Sequence, residues 1–292
     1  MKQFLFTLLL ISLLGCKDSK LTEQPLVTSD SSLIEMFKIS NGAYPNISVH
    51  RGGKGLMHYP ENCLETLKYV NDSISAIYEI DVAKTRDGQL VLMHDNSIDR
   101  TTNGTGLVKD LTYNQLKKFY LVDDYENNTM FKIPMFSEVL KWCKVNNVIV
   151  TVDIKRSVSQ ETVIKAIRES KAEDVCIIIT YDVKQAKTAY KLAPELLLSV
   201  SARNDEEFNR LLAAKIPTKN MLAFTGTRLS DVSLFERLHE ENIVCMLGTL
   251  GNLDKQAEAR GDELYSKWKN LGVDVFATDR PFEAYSAIKK NN

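Results

Sequence analysis

Short apolar segments rich in β-branched residues alternate with segments of helical hydrophobic period from residue 47 onward. The pattern predicts eight strands, over residues 47–50, 76–82, 148–154, 175–180, 196–200, 221–224, 243–247 and 275–278. Each strand is followed by a helix-like stretch, the longest over residues 253–271. Strands connected through helices pair in parallel, and eight such units in ~250 residues favour a closed (β/α)₈ TIM barrel. An open doubly wound sheet is the alternative, although no Gly-x-Gly-x-x-Gly follows the first strand.

A hairpin and a long loop interrupt the alternation after the second strand. The Asp87-Gly88 pair indicates a tight turn, and residues 90–94 are predicted to return as a strand. A turn centred on Asp87-Gly88 would place His94 opposite Asp81. An irregular insertion follows at about residues 96–134, with a short helix predicted at 114–119. Loops of this length on a barrel are usually functional, so we expect a lid or a substrate wall.

The first residues, MKQFLFTLLLISLLGC, have the pattern of a targeting segment. The apolar stretch 4–14 is shorter than the ~20 residues that a membrane-spanning helix needs. It ends in Leu-Leu-Gly-Cys16, which resembles a bacterial lipobox, although an ordinary secretory signal is the alternative. We therefore predict a lipoprotein signal peptide over 1–15, lipidation of Cys16, a flexible tether over 16–41 with a short helix at 32–38, and a barrel domain over 42–292. An exported lipoprotein is implied, and Lys17 favours the outer membrane, facing either the periplasm or the outside.

Charge and cysteine usage narrow the class of protein further. The net charge is -1, with 37 Lys and Arg against 38 Asp and Glu, so there is no electrostatic case for nucleic-acid binding. Four cysteines follow Cys16 without any Cys-x-x-Cys spacing, and three of them lie in or beside apolar segments. We interpret these as core residues. Disulfide pairing and oligomeric state are left open.

Polar residues occur at the carboxyl ends of several predicted strands. Glu79 and Asp81 are two residues apart and therefore share one face of a strand. A hard divalent cation would relieve their mutual repulsion and loss of hydration. Asp153 and Lys155 have the same spacing on the next strand of the barrel, and His50 ends the first strand. Alone, such pairs are more often an acidic hairpin edge or a surface salt bridge. In a barrel, however, all these strand ends meet at one mouth.

Taken in chain order, these residues resemble the motifs of the glycerophosphodiester phosphodiesterase family. The resemblance covers residues 47–289. It is carried by His50-Arg51-Gly52, Pro60-Glu61-Asn62, Glu79-x-Asp81, Asp87-Gly88, His94-Asp95, Arg100-Thr101-Thr102, the Gly104/Gly106 pair, Asp153-x-Lys155 and Thr278-Asp279-Arg280-Pro281.

The resemblance implies metal-dependent hydrolysis of small glycerophosphodiesters to sn-glycerol 3-phosphate and an alcohol. It also implies the role of each matching residue. The ligands of one divalent cation, Ca²⁺ or Mg²⁺, would be Glu79, Asp81 and Asp153; the general acid and base would be His50 and His94, in an order left open; and the phosphate pocket would be formed by Arg51, Lys155, Glu61 and Asn62. Elementary chemistry agrees, because phosphodiester cleavage needs two proton carriers and histidine is best suited near neutral pH.

Two departures from the family pattern and three rival functions qualify this hypothesis. Asp153 stands where the family more usually has Glu, and the seventh strand ends without the Trp that many relatives place against glycerol. The alcohol specificity is therefore open. The rivals are a phospholipase D- or C-like barrel acting on intact phospholipid or phosphoinositide, a non-catalytic phosphodiester-binding barrel, and a glycosidase. The last needs carboxyls on different strands. Tyr181 and Phe224 either wall the pocket or simply pack, and His239 is expected to face solvent.

Overall fold

A computed structural model describes residues 30–290. Eight parallel strands close into a barrel, because the first strand pairs with both the second and the last. The strands are β1 Ile47–Val49, β2 Ile77–Lys84, β3 Leu90–Leu92, β4 Ile149–Ile154, β5 Cys176–Thr180, β6 Leu197–Ser201, β7 Met221–Phe224, β8 Val244–Gly248 and β9 Val275–Thr278. Only β3 is antiparallel, as the partner of β2 outside the barrel. The predicted (β/α)₈ barrel with a hairpin after its second strand is confirmed.

Helices surround the barrel in the order that the sequence predicts. They are α1 Ser32–Met36, α2 Leu64–Asn71, α3 Tyr113–Leu116, α4 Phe136–Asn146, α5 Gln160–Glu169, α6 Val183–Leu192, α7 Asp205–Ala213, α8 Val232–Glu240, α9 Asn252–Arg260, α10 Glu263–Lys269 and α11 Pro281–Lys289. The long helix predicted over residues 253–271 is wrong, since Gly261 has a φ of +112° and separates α9 from α10. In the part of the chain that the structure describes, no helix has both the length and the apolar character needed to cross a membrane.

Helix α1 closes the lower end of the barrel. Its Leu33 and Ile34, with Phe37 just beyond it, are at most 1% exposed. They pack against a layer of apolar residues at the amino ends of the strands, including Ile77 and Ile149. Burial of each such side chain contributes roughly 1.5–3 kcal/mol, which a flexible segment would forgo. The short helix predicted at 32–38 is observed as α1, and it packs against the barrel within the segment that was predicted as a tether.

The remaining predictions for the N-terminal segment concern residues 1–29. The signal peptide, the lipidation of Cys16 and the first part of the tether lie outside the described residues.

The hairpin register differs by one residue from the predicted one. Val82 pairs with Leu92, and the amide of Met93 donates to the carbonyl of Asp81 at 2.9 Å. Asp81 is thus opposite Met93 rather than His94. The reason is that the loop has five residues, 85–89, and is centred on Asp87 instead of between Asp87 and Gly88. His94 follows the end of β3 and is free to turn towards the barrel mouth.

The insertion at residues 96–134 is a packed subdomain with its own small core. Apolar side chains from the hairpin and the insertion, among them Val91, Ile98, Leu116 and Ile133, are fully buried together. The short helix α3 starts and ends earlier than predicted, and Thr112 and Gln115 form a capping box at its start. The insertion is therefore a compact unit with a buried core, beside the mouth of the barrel.

The cysteines of the described segment are unpaired. Cys63, Cys143, Cys176 and Cys245 are all free thiols and all buried. The question of a disulfide left open by the sequence is answered in the negative for residues 30–290.

Candidate active site

Three carboxylates converge at the carboxyl end of the barrel. Glu79 and Asp81 come from β2, and Asp153 lies directly beside Asp81 in the parallel pairing of β2 with β4. One carboxylate oxygen from each residue lies within 4.8 Å of the other two. The prediction that Glu79 and Asp81 share a face is confirmed, and the aligned register of the two strands adds Asp153.

These carboxylates carry more negative charge than the protein groups around them neutralise. Lys155 Nζ lies 2.5 Å from Asp81 Oδ1 and 2.8 Å from Asp153 Oδ2. Burial lowers the pKa of Lys155, but attraction to these two carboxylates outweighs it and raises that pKa overall. Burial, followed by repulsion from Asp81 and Asp153, raises the pKa of Glu79 well above its ordinary range. Three clustered carboxylate donors, two of them on buried residues, fit a hard divalent cation beside one ammonium, and such a cation would remove this repulsion.

The loop after β1 reaches the cluster through two residues with unusual backbone conformation. Arg51 and Asn62 have φ values of +49° and +53°, in the left-handed region that non-glycine residues rarely adopt. In this conformation the Arg51 amide donates to Glu79 Oε2 at 2.7 Å. Asn62 Nδ2 donates to Asp81 Oδ2 at 2.6 Å, and Asn62 Oδ1 accepts from the Asp81 amide at 2.9 Å. Asn62 therefore holds a proposed metal ligand, a role different from the predicted phosphate contact.

Five side chains form a closed hydrogen-bonded ring beside the cluster, which we call the arginine ring: Arg51, His94, Asp95, Arg100 and Glu61. Arg51 donates to His94 Nε2 at 2.8 Å and to Glu61 at 3.1 Å. Arg100 donates to Asp95 Oδ2 and to Glu61 Oε1, each at 2.7 Å. His94 Nδ1 lies 2.7 Å from Asp95 Oδ1 and completes the ring.

Glu61 is the most deeply buried member of the arginine ring, with 2% of its surface exposed. Burial raises its pKa, but the hydrogen bond from Arg100 and the charge of Arg51 outweigh burial and lower the pKa overall. Glu61 therefore binds the two guanidinium groups as a carboxylate. Glu61 orients Arg51 in this structure, and its predicted place in the phosphate pocket stays a prediction.

The ring determines which nitrogen of His94 carries the proton. A guanidinium only donates, so the Nε2 atom facing Arg51 must accept. The proton is then on Nδ1 and is donated to Asp95. Hydrogen bonding from Arg100, opposed by partial burial and assisted by His94, lowers the pKa of Asp95 to about 2. In this arrangement the lone pair of His94 is on Nε2, where it accepts from Arg51.

His50 has a carboxylate partner of its own. Its Nδ1 atom lies 2.7 Å from Asp279 Oδ1, immediately after β9. The Asp279 amide donates to Asp254 Oδ2 at 2.8 Å, and the hydroxyls of Thr278 and Tyr265 also donate to buried Asp254. No cationic group donates to His50 among the described residues, and its Nδ1 can donate to the Asp279 carboxylate.

A cavity of about 180 Å³ lies between the two histidines and the carboxylates. Its wall is largely hydroxyl and apolar, with Ser48, Thr151, Thr180, Ser199 and Ser201 among the former, and Ile179, Phe224, Met246 and Leu250 among the latter. Ser48 Oγ and Arg51 Nε are buried, and neither has a hydrogen-bond partner within residues 30–290. Phe224 and Tyr181 both line the cavity, and Tyr181 is 57% exposed at its rim. The cavity fits a small polyol phosphate.

The insertion fixes the loop between His50 and Glu61. Asp123 Oδ2 accepts from the His58 amide, and Asp124 Oδ2 accepts from the Gly55 amide, both at 2.6 Å. Tyr125 adds a hydrogen bond from its hydroxyl to the Gly55 carbonyl at 3.2 Å. The insertion is therefore anchored to the loop that carries Arg51, and its predicted role as a lid or a substrate wall stays a prediction.

Sequence reasoning missed three residues of this site. Asp95 and Asp279 orient the two histidines, and Arg100 orients Asp95 and Glu61. Each stands inside a motif that carried the family resemblance, so adjacency to a histidine or to a strand end was the available signal. The distances that reveal their roles join residues up to 229 positions apart.

Comparison with known proteins agrees with this geometry. Residues 50–283 match the Glycerophosphoryl diester phosphodiesterase family. A glycerophosphodiester phosphodiesterase from Bacillus altitudinis is 32% identical over 248 residues, which cover 82% of this chain and 96% of that protein. The crystal structure of a glycerophosphoryl diester phosphodiesterase from Parabacteroides distasonis is similar with a TM-score of 0.83 at 32% identity, covering 89% of this chain and 91% of that chain.

A more distant solved structure shares the fold. A phosphodiesterase from Oleispira antarctica, in complex with the product sn-glycerol-3-phosphate, has a TM-score of 0.67 at 21% identity and covers 84% of this chain and 97% of that chain. Fold and relatives together define the class as phosphoric diester hydrolases. More narrowly, the chain belongs to the glycerophosphoryl diester phosphodiesterase family.

Proposed function

We propose that this protein hydrolyses glycerophosphodiesters to sn-glycerol 3-phosphate and an alcohol by two-histidine acid–base catalysis. The observation that carries the proposal is the arrangement around the cavity. Two histidines, each paired with its own carboxylate, line the same hydroxyl-rich space as three clustered carboxylates. The sn-glycerol-3-phosphate complex of the Oleispira antarctica phosphodiesterase supports the choice of substrate.

One divalent cation, Ca²⁺ or Mg²⁺, would be held by Glu79, Asp81 and Asp153. When bound, it would neutralise negative charge on the phosphoryl group and on the carboxylates themselves. The donor set supports this, because all three groups are carboxylate oxygens of a kind that hard cations prefer. Asn62 fixes the orientation of Asp81 through its two hydrogen bonds.

His94 is the general base of the first step, and His50 is the general acid. Nε2 of His94 accepts from Arg51 in the structure, and it would take the proton of an attacking hydroxyl once Arg51 turns to the phosphate. Asp95 then stabilises the imidazolium that forms. His50, held as a donor by Asp279, protonates the departing alkoxide. If the attacking group is the glycerol hydroxyl, as the family resemblance implies, the two roles reverse when water opens the cyclic phosphate.

Cationic groups of the chain neutralise the remaining charge of the substrate. Arg51 Nε is buried without a partner among the described residues, so it can donate to a non-bridging phosphate oxygen without losing its contact to Glu61. Lys155 Nζ lies at the carboxylate cluster and can turn to the same phosphate. Such fixed donors stabilise charge that develops in the transition state more strongly in a buried site than in water.

The protein is further proposed to be an exported lipoprotein of the outer membrane, anchored through Cys16. The support is the sequence alone: a charged start, a short apolar stretch and Leu-Leu-Gly-Cys16. Metabolic labelling with radioactive palmitate should mark the wild-type chain and fail to mark Cys16→Ser. Label that persists in the variant would refute the anchor, and fractionation of the labelled cells would assign the membrane.

The reaction is tested by product analysis with the full chain. We expect sn-glycerol 3-phosphate from glycerophosphocholine, loss of release in EDTA, and recovery with Ca²⁺ or Mg²⁺. Phosphatidylcholine and a phosphoinositide serve as comparison substrates. Cleavage of these lipids with an inert glycerophosphocholine would favour the phospholipase-like rival. Binding of glycerophosphocholine without turnover of any substrate would favour the binding barrel.

A further inference from the structure

Three side chains with metal-binding chemistry converge at the lower end of the barrel, away from the cavity. His239 lies in the last turn of α8, Cys245 is in β8, and Asp274 directly precedes β9. One ligand atom of each lies within 4.8 Å of the other two. Asp274 Oδ2 accepts from His239 at 2.9 Å and from the Cys245 amide at 2.7 Å. We call this group the lower triad.

Ordinary core packing does not account for the lower triad. Cys245 is fully buried, and its thiol has a single long hydrogen bond, 3.9 Å to the Ile243 carbonyl, within the described segment. A buried thiol normally packs among apolar side chains, because a carboxylate beside it is costly to desolvate. Cys245 is also the one cysteine of residues 30–290 that belongs to such a group. His239, expected to face solvent, instead points inward to Asp274.

Asp274 keeps one oxygen available. Its Oδ2 atom is used by His239 and the Cys245 amide, whereas Oδ1 has a long contact of 3.4 Å with the Tyr44 hydroxyl. A carboxylate that served only to accept the β8 amide would not need the imidazole and the thiol at ligand distance. The arrangement therefore offers one nitrogen, one sulfur and one oxygen donor to the same point.

We propose that His239, Cys245 and Asp274 form a second metal site, selective for Zn²⁺. Mixed nitrogen, sulfur and oxygen donors suit this borderline-soft cation, whereas the all-oxygen cluster at the barrel mouth suits Ca²⁺ or Mg²⁺. Zn²⁺ takes four ligands, so water or the Tyr44 hydroxyl completes the set. Ligand bonds of about 2.0–2.3 Å require the three side chains to adjust their positions around the ion. His239, whose side chain is 27% exposed at the end of its helix, can supply that movement.

The metal would tie three separate elements together at the end of the barrel that α1 also covers. Helix α8 and the starts of β8 and β9 meet there, and Tyr44 adds the segment that precedes β1. A cation that binds only the folded state stabilises it by mass action. The role is structural, and it is independent of the reaction at the mouth.

Co²⁺ is the probe that separates the two sites, because a thiolate ligand gives an intense charge-transfer band in the near ultraviolet and oxygen ligands do not. We expect the chelator-treated full chain to develop this band with one equivalent of Co²⁺ and to lose it when Zn²⁺ is added. Cys245→Ser should abolish the band. The matched variant Cys143→Ser, which removes another buried thiol, and Asp81→Asn, which removes a proposed ligand at the mouth, should retain it.

A second substitution, at the partly exposed His239, tests the proposal if Cys245→Ser fails to fold. His239→Gln should weaken Zn²⁺ binding by about tenfold or more while glycerophosphocholine turnover stays unchanged. Absence of the band in the wild-type chain, or its persistence in Cys245→Ser, would overturn the proposal. Zn²⁺ affinity unchanged in His239→Gln would do the same. None of these outcomes depends on whether the mouth catalyses phosphodiester cleavage.

Discussion

Arg51 donates a hydrogen bond to His94 Nε2 at 2.8 Å, and this contact leaves His94 without a proton on Nε2. The same guanidinium is held by Glu61, which is held in turn by Arg100. A protonated His94 would bring its own N–H towards a group that can only donate. The resting enzyme therefore has His94 ready to accept a proton.

Arg100 should be a positioning residue although it need not touch substrate. Arg100→Ala removes the hydrogen bonds to Asp95 and Glu61, so His94 and Arg51 lose their fixed orientation. We expect kcat to fall by about tenfold to a hundredfold with little change in KM, as for other outer-shell partners. Arg100→Lys should recover little, because an ammonium cannot donate to both carboxylates in the same fork geometry.

The matched control is Arg210→Ala, which removes an exposed ion pair with Glu206 on α7. Such surface pairs contribute about 0–1 kcal/mol, and its kinetics should equal those of the wild type. Equal losses in both variants, or an Arg100 effect confined to KM, would contradict the positioning role.

Asn62 should tune metal affinity through Asp81. Asn62→Ala removes both hydrogen bonds to Asp81 and also replaces Asn with a residue that adopts a φ of +53° less readily. Asn62→Gly removes the same bonds without the backbone strain. If the amide acts on the metal ligand, calorimetry should show about tenfold to a hundredfold weaker Ca²⁺ or Mg²⁺ binding in both variants. Weakening in Asn62→Ala alone would attribute the effect to the backbone.

The Asp95 carboxylate should stabilise the fold at a pH above its ordinary pKa of 3.8, and this stabilisation should disappear in acid. Its pKa falls from 3.8 to about 2 on folding, because the folded state favours the carboxylate. The contribution is fully present above pH 3.8 and is lost as the pH falls through about 2. We expect Asp95→Asn to cost on the order of 1 kcal/mol at pH 6, allowing for solvent screening. Urea unfolding should show the difference between the two proteins shrinking towards pH 3, and a difference that grows in acid would contradict this sign.

Helix α1 should stabilise the barrel without affecting chemistry. Phe37→Ala empties a position that is 1% exposed against the lower layer and should cost about 3–5 kcal/mol. Glu35→Ala, on the exposed side of the same helix, is the control and should cost less than about 1 kcal/mol. Chemical unfolding measures both, and turnover should be unchanged. If the Phe37 variant is as stable as the wild type, the segment is a tether and does not contribute to the folded barrel.

The sequence was sufficient for the barrel because hydrophobic period and strand alternation are local properties. Glu79 and Asp81 share a face by alternation alone, and the prediction held. The position of His94 was wrong by one residue, since the number of residues in a hairpin loop depends on turn hydrogen bonds that composition does not determine. A short helix was predicted at 32–38, but its packing against the barrel was not, because five residues give too short a period to reveal a buried face.

Hydrogen-bonded pairs of residues far apart in the chain could not be predicted from the sequence. His50 meets Asp279 only when the barrel closes, and Arg100 meets Glu61 only when the insertion folds back on the mouth. The hydrogen bonds of Glu61 to the two arginines and of Asn62 to Asp81 were not predicted for the same reason, and the predicted place of both residues in the phosphate pocket stays a prediction. Closure of the barrel, a cooperative property of all eight strands, supplies these contacts.

The most direct measurement compares two glycerophosphodiesters that differ only in the alcohol, choline or p-nitrophenol, in His50→Ala and His94→Ala. A nitrophenolate leaves without a proton, so it makes the general acid dispensable but not the base. We predict that His50→Ala loses turnover of glycerophosphocholine yet keeps much of the wild-type rate of nitrophenol release. His94→Ala should lose both. Rescue of His94→Ala by the activated substrate, with none for His50→Ala, would reverse the assignment, and full activity of either variant on glycerophosphocholine would contradict the two-histidine account.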